Sequence, residues 1–345
     1  MKKQMIIGIF ATVGLLFLIL DTSTALSGGL EGVDLCLKVL IPSLFPFFVL
    51  TNLLSSTLIG KEFRILRPLE LILRIPKGTG TIFLAGLLGG YPTGAQLIHQ
   101  SWKTHQLSYD TANRMLTFCS NAGPSFLFGV IALKFQRAGI VWLLWAIHIL
   151  TAVIVSKIIQ CDRIPSSVKL EQNQSSFTNC IRLSITVMAS VCAWVVVFRI
   201  LIAFISRWFL WMLPTEVQVI LISLLELANG CSYLEQIENE GLRIILCSLA
   251  LNFGGICVMM QTASVTQGLQ LRHYIKGKLL QTALACYFTA LMQQILLEKG
   301  ENIQFHMAFY FLYPLTVFCC IYFLKKRKNV IAFRGRLLYN HPINQ

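Results

Sequence analysis

The sequence predicts an all-α polytopic membrane protein, with about eight transmembrane helices and two re-entrant helical hairpins arranged as two inverted repeats. Three observations predict it. Hydrophobic residues make up 55% of the 345 residues and charged residues only 13%, where a soluble domain carries roughly 25%. The apolar residues fall in long runs rather than in amphipathic stripes, which is the pattern of membrane helices. Two of the apolar stretches, 80–100 and 215–235, are interrupted near their middles by helix-breaking clusters, Gly89-Gly90-Tyr91-Pro92-Thr93-Gly94 and Glu226-Leu227-Ala228-Asn229-Gly230.

The uninterrupted runs place full spans at 5–20, 35–59, 115–133, 140–158, 183–205, 242–262, 279–297 and 305–324. The first, preceded by Lys2 and Lys3, has the outline of a signal peptide but is read as an uncleaved span. The net charge of +14 sits in short basic runs between apolar segments. That is the positive-inside pattern rather than a nucleic-acid footprint. With both termini in the cytoplasm and both interrupted stretches read as hairpins, most Lys and Arg residues fall on the cytoplasmic side, Arg114, Lys276 and Lys278 among them. Lys38, Lys134, Arg137, Arg199, Arg207, Arg243 and Lys299 are the exceptions. The predicted layout is a first helix in 1–29, one repeat in 30–160, a polar cytoplasmic linker in 161–179, a second repeat in 180–300, and a last helix with a basic tail in 301–345. In each repeat a span, a hairpin and a second span follow one another, with the second set upside down relative to the first.

Lipid cannot satisfy free backbone N–H and C=O groups, so broken helix at membrane depth survives only where protein or a hydrated cavity shields it. Glycine-rich breaks in corresponding pairs therefore point to a shared central cavity, where secondary transporters hold their cargo between half-helix ends. In the first hairpin the candidates are Gly90, Tyr91, Thr93, Gly94 and Gln96, and in the span after it Ser120, Asn121, Gly123 and Ser125. The second hairpin contributes Glu226, Asn229 and Gly230, and the span after it Asn252, Gly254, Gly255 and Gln261. Glu226 stands out, because an ionisable group at depth costs about 3 kcal/mol on insertion scales and marks function by default. It can handle a coupling cation, carry a proton or bind a ligand; capping of the neighbouring half-helix, or pairing with Arg199, is the structural alternative. His99 and His148 are isolated, so no metal is expected. The eleven cysteines include no CxxC pair and read as buried filler. Without a P-loop, paired catalytic carboxylates or an activated nucleophile, neither an enzyme nor a cofactor is expected.

The run Pro42-Ser43-Leu44-Phe45-Pro46-Phe47-Phe48, then Gly90-Tyr91-Pro92-Thr93-Gly94, Asn121-Ala122-Gly123-Pro124, Glu226-Leu227-Ala228-Asn229-Gly230 and Phe253-Gly254-Gly255 resembles the YlbJ (SpoVV) family of sporulation integral membrane proteins. The resemblance covers roughly residues 30 to 300. It implies Gate-like "nucleoside recognition" repeats related to concentrative nucleoside transporters. It also implies movement of dipicolinic acid, a small organic anion, from the mother cell across the outer forespore membrane. Ala228 stands where the family pattern leads one to expect a hydroxyl residue. Three functional readings are open: an anion transporter with a coupling cation (proton or sodium), a transporter of another solute such as a nucleoside, and a non-transporting sporulation scaffold. An oligomer in the bilayer is compatible with each.

Overall fold

The computed structural model describes residues 2–159, 168, 170 and 176–297, and every regular element among them is helical. The expected span at 305–324, the basic tail and most of the 161–179 linker lie outside the described residues. Among the described residues four helices are long and apolar enough to cross a membrane: Thr22–Leu58, Gly139–Ile158, Phe177–Trp208 and Glu240–Val265.

Helix α1 (Lys2–Leu20) is followed by α2 (Thr22–Leu58), which the sequence placed only from 35 onwards. The predicted spans leave residues 21–34 uncovered. Instead Asp21 caps the helix at Thr24, and small residues let α2 lie directly on α9 (Phe177–Trp208). An added Cβ at Gly28 would stand 2.8 Å from Ala203 Cβ, and one at Gly32 would stand 3.0 Å from Val196 Cα. Glycine here serves close helix approach, as in membrane helix pairs. Within α2 the turn Cys36–Leu40 widens to a π-bulge, with Ile41 N–H donating to Cys36 O. The bulge adjoins Pro42, which cannot donate to a carbonyl.

Helix α3 (Arg67–Leu73) leads to the first hairpin, α4 (Gly80–Gly89) and α5 (Thr93–Lys103), which pack on each other. The span expected at 115–133 is interrupted at its Gly123-Pro124 break and for several residues before it. Helix α6 (Tyr109–Leu116) ends before a non-helical segment at 117–123, and α7 (Pro124–Lys134) follows. Pro124 lacks an N–H and disfavours helix in the residue before it, and Gly123 is extended, φ −83° and ψ 162°. Helix α8 (Ala138–Ile158) and the 32-residue α9 come next. The second hairpin is α10 (Thr215–Leu225) and α11 (Leu227–Tyr233). The final broken helix is α12 (Glu240–Phe253) and α13 (Gly255–Val265), and α14 (Leu271–Leu297) packs on α8 and α12.

Buried Arg114 ties one end of this assembly together. Its guanidinium donates to Leu73 O (2.8 Å) and Arg74 O (2.7 Å) at the end of α3, and to Ser156 O (2.8 Å) and Ile159 O (3.0 Å) at the end of α8. These carbonyls belong to last turns that have no intrahelical partner, and a cation is favoured there. Hydrogen bonds to charged groups contribute about 1.5–3 kcal/mol each. Arg114→Leu is therefore expected to lower stability by ~3 kcal/mol or more. Thermal unfolding in detergent checks this, and an unchanged transition would show that the clamp does not hold.

Candidate functional site

The four breaks converge. Gly90, with φ +73°, turns the first hairpin through the cis Tyr91–Pro92 peptide and lies on the 117–123 segment. A Cβ at Gly90 would stand 2.9 Å from Gly123 N, and one at Gly123 would stand 3.0 Å from Gly90 N. Gly254 and Gly255 both have positive φ, +78° and +80°, a conformation that glycine adopts without a Cβ penalty. A Cβ at Gly255 would stand 2.9 Å from Leu225 O and 3.1 Å from Glu226 N, and one at Gly254 would stand 3.5 Å from Tyr91 Cζ. The Gly254–Gly255 turn thus sits between the tips of the two hairpins.

A small cavity of about 50 Å³ opens at this junction, with room for a few waters. Gly90, Tyr91, Gly123, Ser125, Glu226 and Gln261 line it together with Leu44 and Phe48 of α2 and Val191 of α9. Glu226, 2% exposed, also caps α11. Its carboxylate accepts Ala228 N–H (2.9 Å), Asn229 N–H (2.6 Å) and Asn229 Nδ2 (2.7 Å). The capping alternative is therefore observed, on a side chain that also forms the cavity wall. Arg199 pairs elsewhere, with Glu31 of α2 and Tyr233 Oη.

Several predicted residues stand apart from this cavity. Thr93 and Gln96 face a second and larger one of about 310 Å³, shared with Asn52, Ser55, Gln100 and Ser101 and bounded by Cys180, Leu183 and Val187 of α9. Gly94 and Gly230 serve packing: a Cβ at Gly94 would collide with Cys119 O, and one at Gly230 would stand 2.5 Å from Ser223 Cα. Ser120 is buried, and its hydroxyl has no partner among the described residues. Asn121 and Asn252 lie behind the cavity in a polar network.

That network contains residues the sequence reading passed over. His148 Nε2 accepts Ala122 N–H (3.1 Å), which makes Nδ1 the protonated nitrogen, donating to Asn252 Oδ1 at 2.7 Å. His148 therefore joins the break at 117–123 to the break at Gly254. Gln281 Nε2 donates to Asn121 Oδ1 (3.1 Å) and His148 O (3.2 Å). Lys278, expected in a cytoplasmic loop, is fully buried on α14 and donates to Gln281 Oε1 (2.8 Å) and Asn121 Oδ1 (3.2 Å). An ionisable residue inside an apolar run was the available signal for His148. For Lys278 no signal existed, because basic residues at a span's edge ordinarily mark a loop. Among the described residues no group of three or more His, Cys, Asp or Glu could hold a metal.

Fold and junction together define an integral membrane protein of the broken-helix class, with a polar centre enclosed by apolar helices. The chain is 34% identical over 125 residues to the sporulation integral membrane protein YlbJ of Bacillus subtilis strain 168. The aligned region is 34% of this chain and spans 30% of that protein's length. The similarity to the YlbJ family is thus found over that part. No protein-family model matches the chain, and no solved structure matches it.

Proposed function

We propose that this protein is a secondary transporter of a small organic anion that works by alternating access, with two inverted repeats moving about the central junction. One observation carries the reading: four non-helical breaks meet around one cavity walled by a buried carboxylate. A scaffold has no need of unwound backbone inside an apolar bundle, whereas a transporter uses it to address its cargo.

The two cavities supply the path. Both lie in the seam between α2 and α9: Leu40, Leu44 and Phe48 face the smaller, and Asn52, Ser55 and Ile59 the larger. They adjoin where a Cβ on Gly89 would stand 2.8 Å from Thr51 and 2.9 Å from Thr93. In the proposed topology, with both termini cytoplasmic, the larger cavity is the cytoplasmic vestibule. Its 310 Å³ reaches the lower end of ligand-sized pockets. The central cavity is too small for an aromatic acid, so this arrangement is a closed state. In this reading Glu226 handles the coupling cation, proton or sodium, since a carboxylate in the wall would repel an anionic cargo.

The similarity to YlbJ, a sporulation integral membrane protein, supports a sporulation membrane as the location. Dipicolinate is the proposed cargo, carried from mother cell towards forespore. The test is uptake of labelled dipicolinate into liposomes containing the purified protein, with nucleosides as competitors. Dipicolinate accumulation that nucleosides do not suppress is expected. Preferential nucleoside uptake would replace the cargo, and no flux of either through folded protein would favour a scaffold.

A further inference from the structure

Lys278 is a buried amine with no carboxylate partner among the described residues. Its ammonium touches two amide oxygens, Asn121 Oδ1 and Gln281 Oε1, and lies 5.0 Å from the Tyr91 ring centroid and 5.9 Å from that of Tyr274. None of the described carboxylates pairs with it. Burying an ammonium among neutral groups is costly, and an apolar side chain of similar size would hold the same helices at less expense. Stability does not account for a lysine here.

Its position does. Tyr91 is both a wall of the central cavity and the nearer ring over the ammonium. The phenol is held by one long hydrogen bond, Tyr91 Oη to Leu251 O at 3.4 Å. Glu226 lies beyond the Gly254–Gly255 turn, and its oxygens are occupied by N–H groups of its own hairpin. The basic group nearest the cavity is therefore Lys278, separated from it by the Tyr91 ring.

We infer that Lys278 is the counter-charge for a carboxylate-bearing ligand and that Tyr91 is the aromatic screen covering it until the ligand enters. This rests on the reading that the cavity carries cargo, and it assigns the group that selects for negative charge. When the Tyr91 ring swings aside, the ammonium exchanges a ring face for a carboxylate oxygen. It keeps its two amide contacts, and no covalent bond changes.

Two measurements on the purified full-length protein test it. The first compares binding of dipicolinate with that of its uncharged diamide for wild type, Lys278→Arg and Lys278→Gln. Wild type and the arginine variant are expected to prefer the dianion, and the glutamine variant to lose about 10- to 100-fold of that preference. The ratio is the readout, because a purely structural lysine would weaken both ligands together. An undiminished preference in Lys278→Gln overturns the inference, as does a wild type that binds the diamide equally well. A wild type without flux in the uptake assay fails the transport reading instead. The second measurement needs no cargo. Tyr91→Ala is expected to speed trinitrobenzenesulfonate labelling of Lys278, followed by mass spectrometry, at least about tenfold. An unchanged labelling rate would show that Tyr91 screens nothing.

Discussion

Glu226→Gln is expected to leave the hairpin folded while uptake loses its response to an imposed proton or sodium gradient. The carboxylate accepts three N–H donors at 2.6 to 2.9 Å, and a carboxamide offers only one oxygen. Kept on Asn229, it would turn an NH2 towards Ala228 N–H. Leaving one buried donor unsatisfied costs about 1–3 kcal/mol, a loss that a packed hairpin can absorb. The coupling role cannot be absorbed. A neutral amide neither exchanges a proton nor supplies a charge to a cation, so any remaining flux should follow the cargo gradient alone. The measurement is initial uptake at several imposed gradients, normalised to folded protein. Full gradient dependence in Glu226→Gln would remove Glu226 from coupling and leave it as a helix cap.

Where the chain breaks was legible in the sequence where the breakers are dense. Gly89-Gly90 with Pro92, and Gly254-Gly255, end helices by backbone chemistry alone, and each marks a break that is observed. The length of the unwound segment at 117–123 was not legible. Its flanks are apolar enough to read as one span, and a single Gly123-Pro124 pair was the sole sign that helix stops there. The long start of α2 was hidden for the opposite reason. Gly28 and Gly32 look like loop residues in isolation, and only the approach of α9 makes them interface residues. Partnership across the bundle is likewise invisible in one dimension. His148 and Asn252 are 104 positions apart yet 2.7 Å in contact, and Lys278 and Asn121 are 157 apart. Side chains of that kind build the junction, so the candidate site was half readable. Its backbone was marked by glycines and two of the groups behind it, Asn121 and Asn252, by their amides in apolar runs, whereas Lys278 and Gln281 were not marked at all.

Gly94→Ala and Gly277→Ala are expected to be the most damaging substitutions to folding, although each adds a single methyl group. A Cβ at Gly94 would collide with Cys119 O and stand 3.1 Å from Gly86 Cα, and one at Gly277 would collide with Thr117 O. The obstacles are backbone atoms, which cannot rotate away as a side chain does. They also belong to the segment at 117–123, fixed by Ala122 N–H on His148 and by Asn121 under Lys278 and Gln281. Overpacking a well-filled interior costs about 1–3 kcal/mol and occasionally more, and an obstacle pinned on its far side places these variants at the upper end. Both should accumulate poorly and elute as aggregate in size-exclusion chromatography. Gly8→Ala is the control: nothing lies within 4 Å of an added Cβ there, and alanine favours the helix over glycine by about 1 kcal/mol. If Gly94→Ala instead folds like wild type but fails to bind cargo, Gly94 is a ligand contact, and the close seat of the first hairpin on the 117–123 segment is wrong.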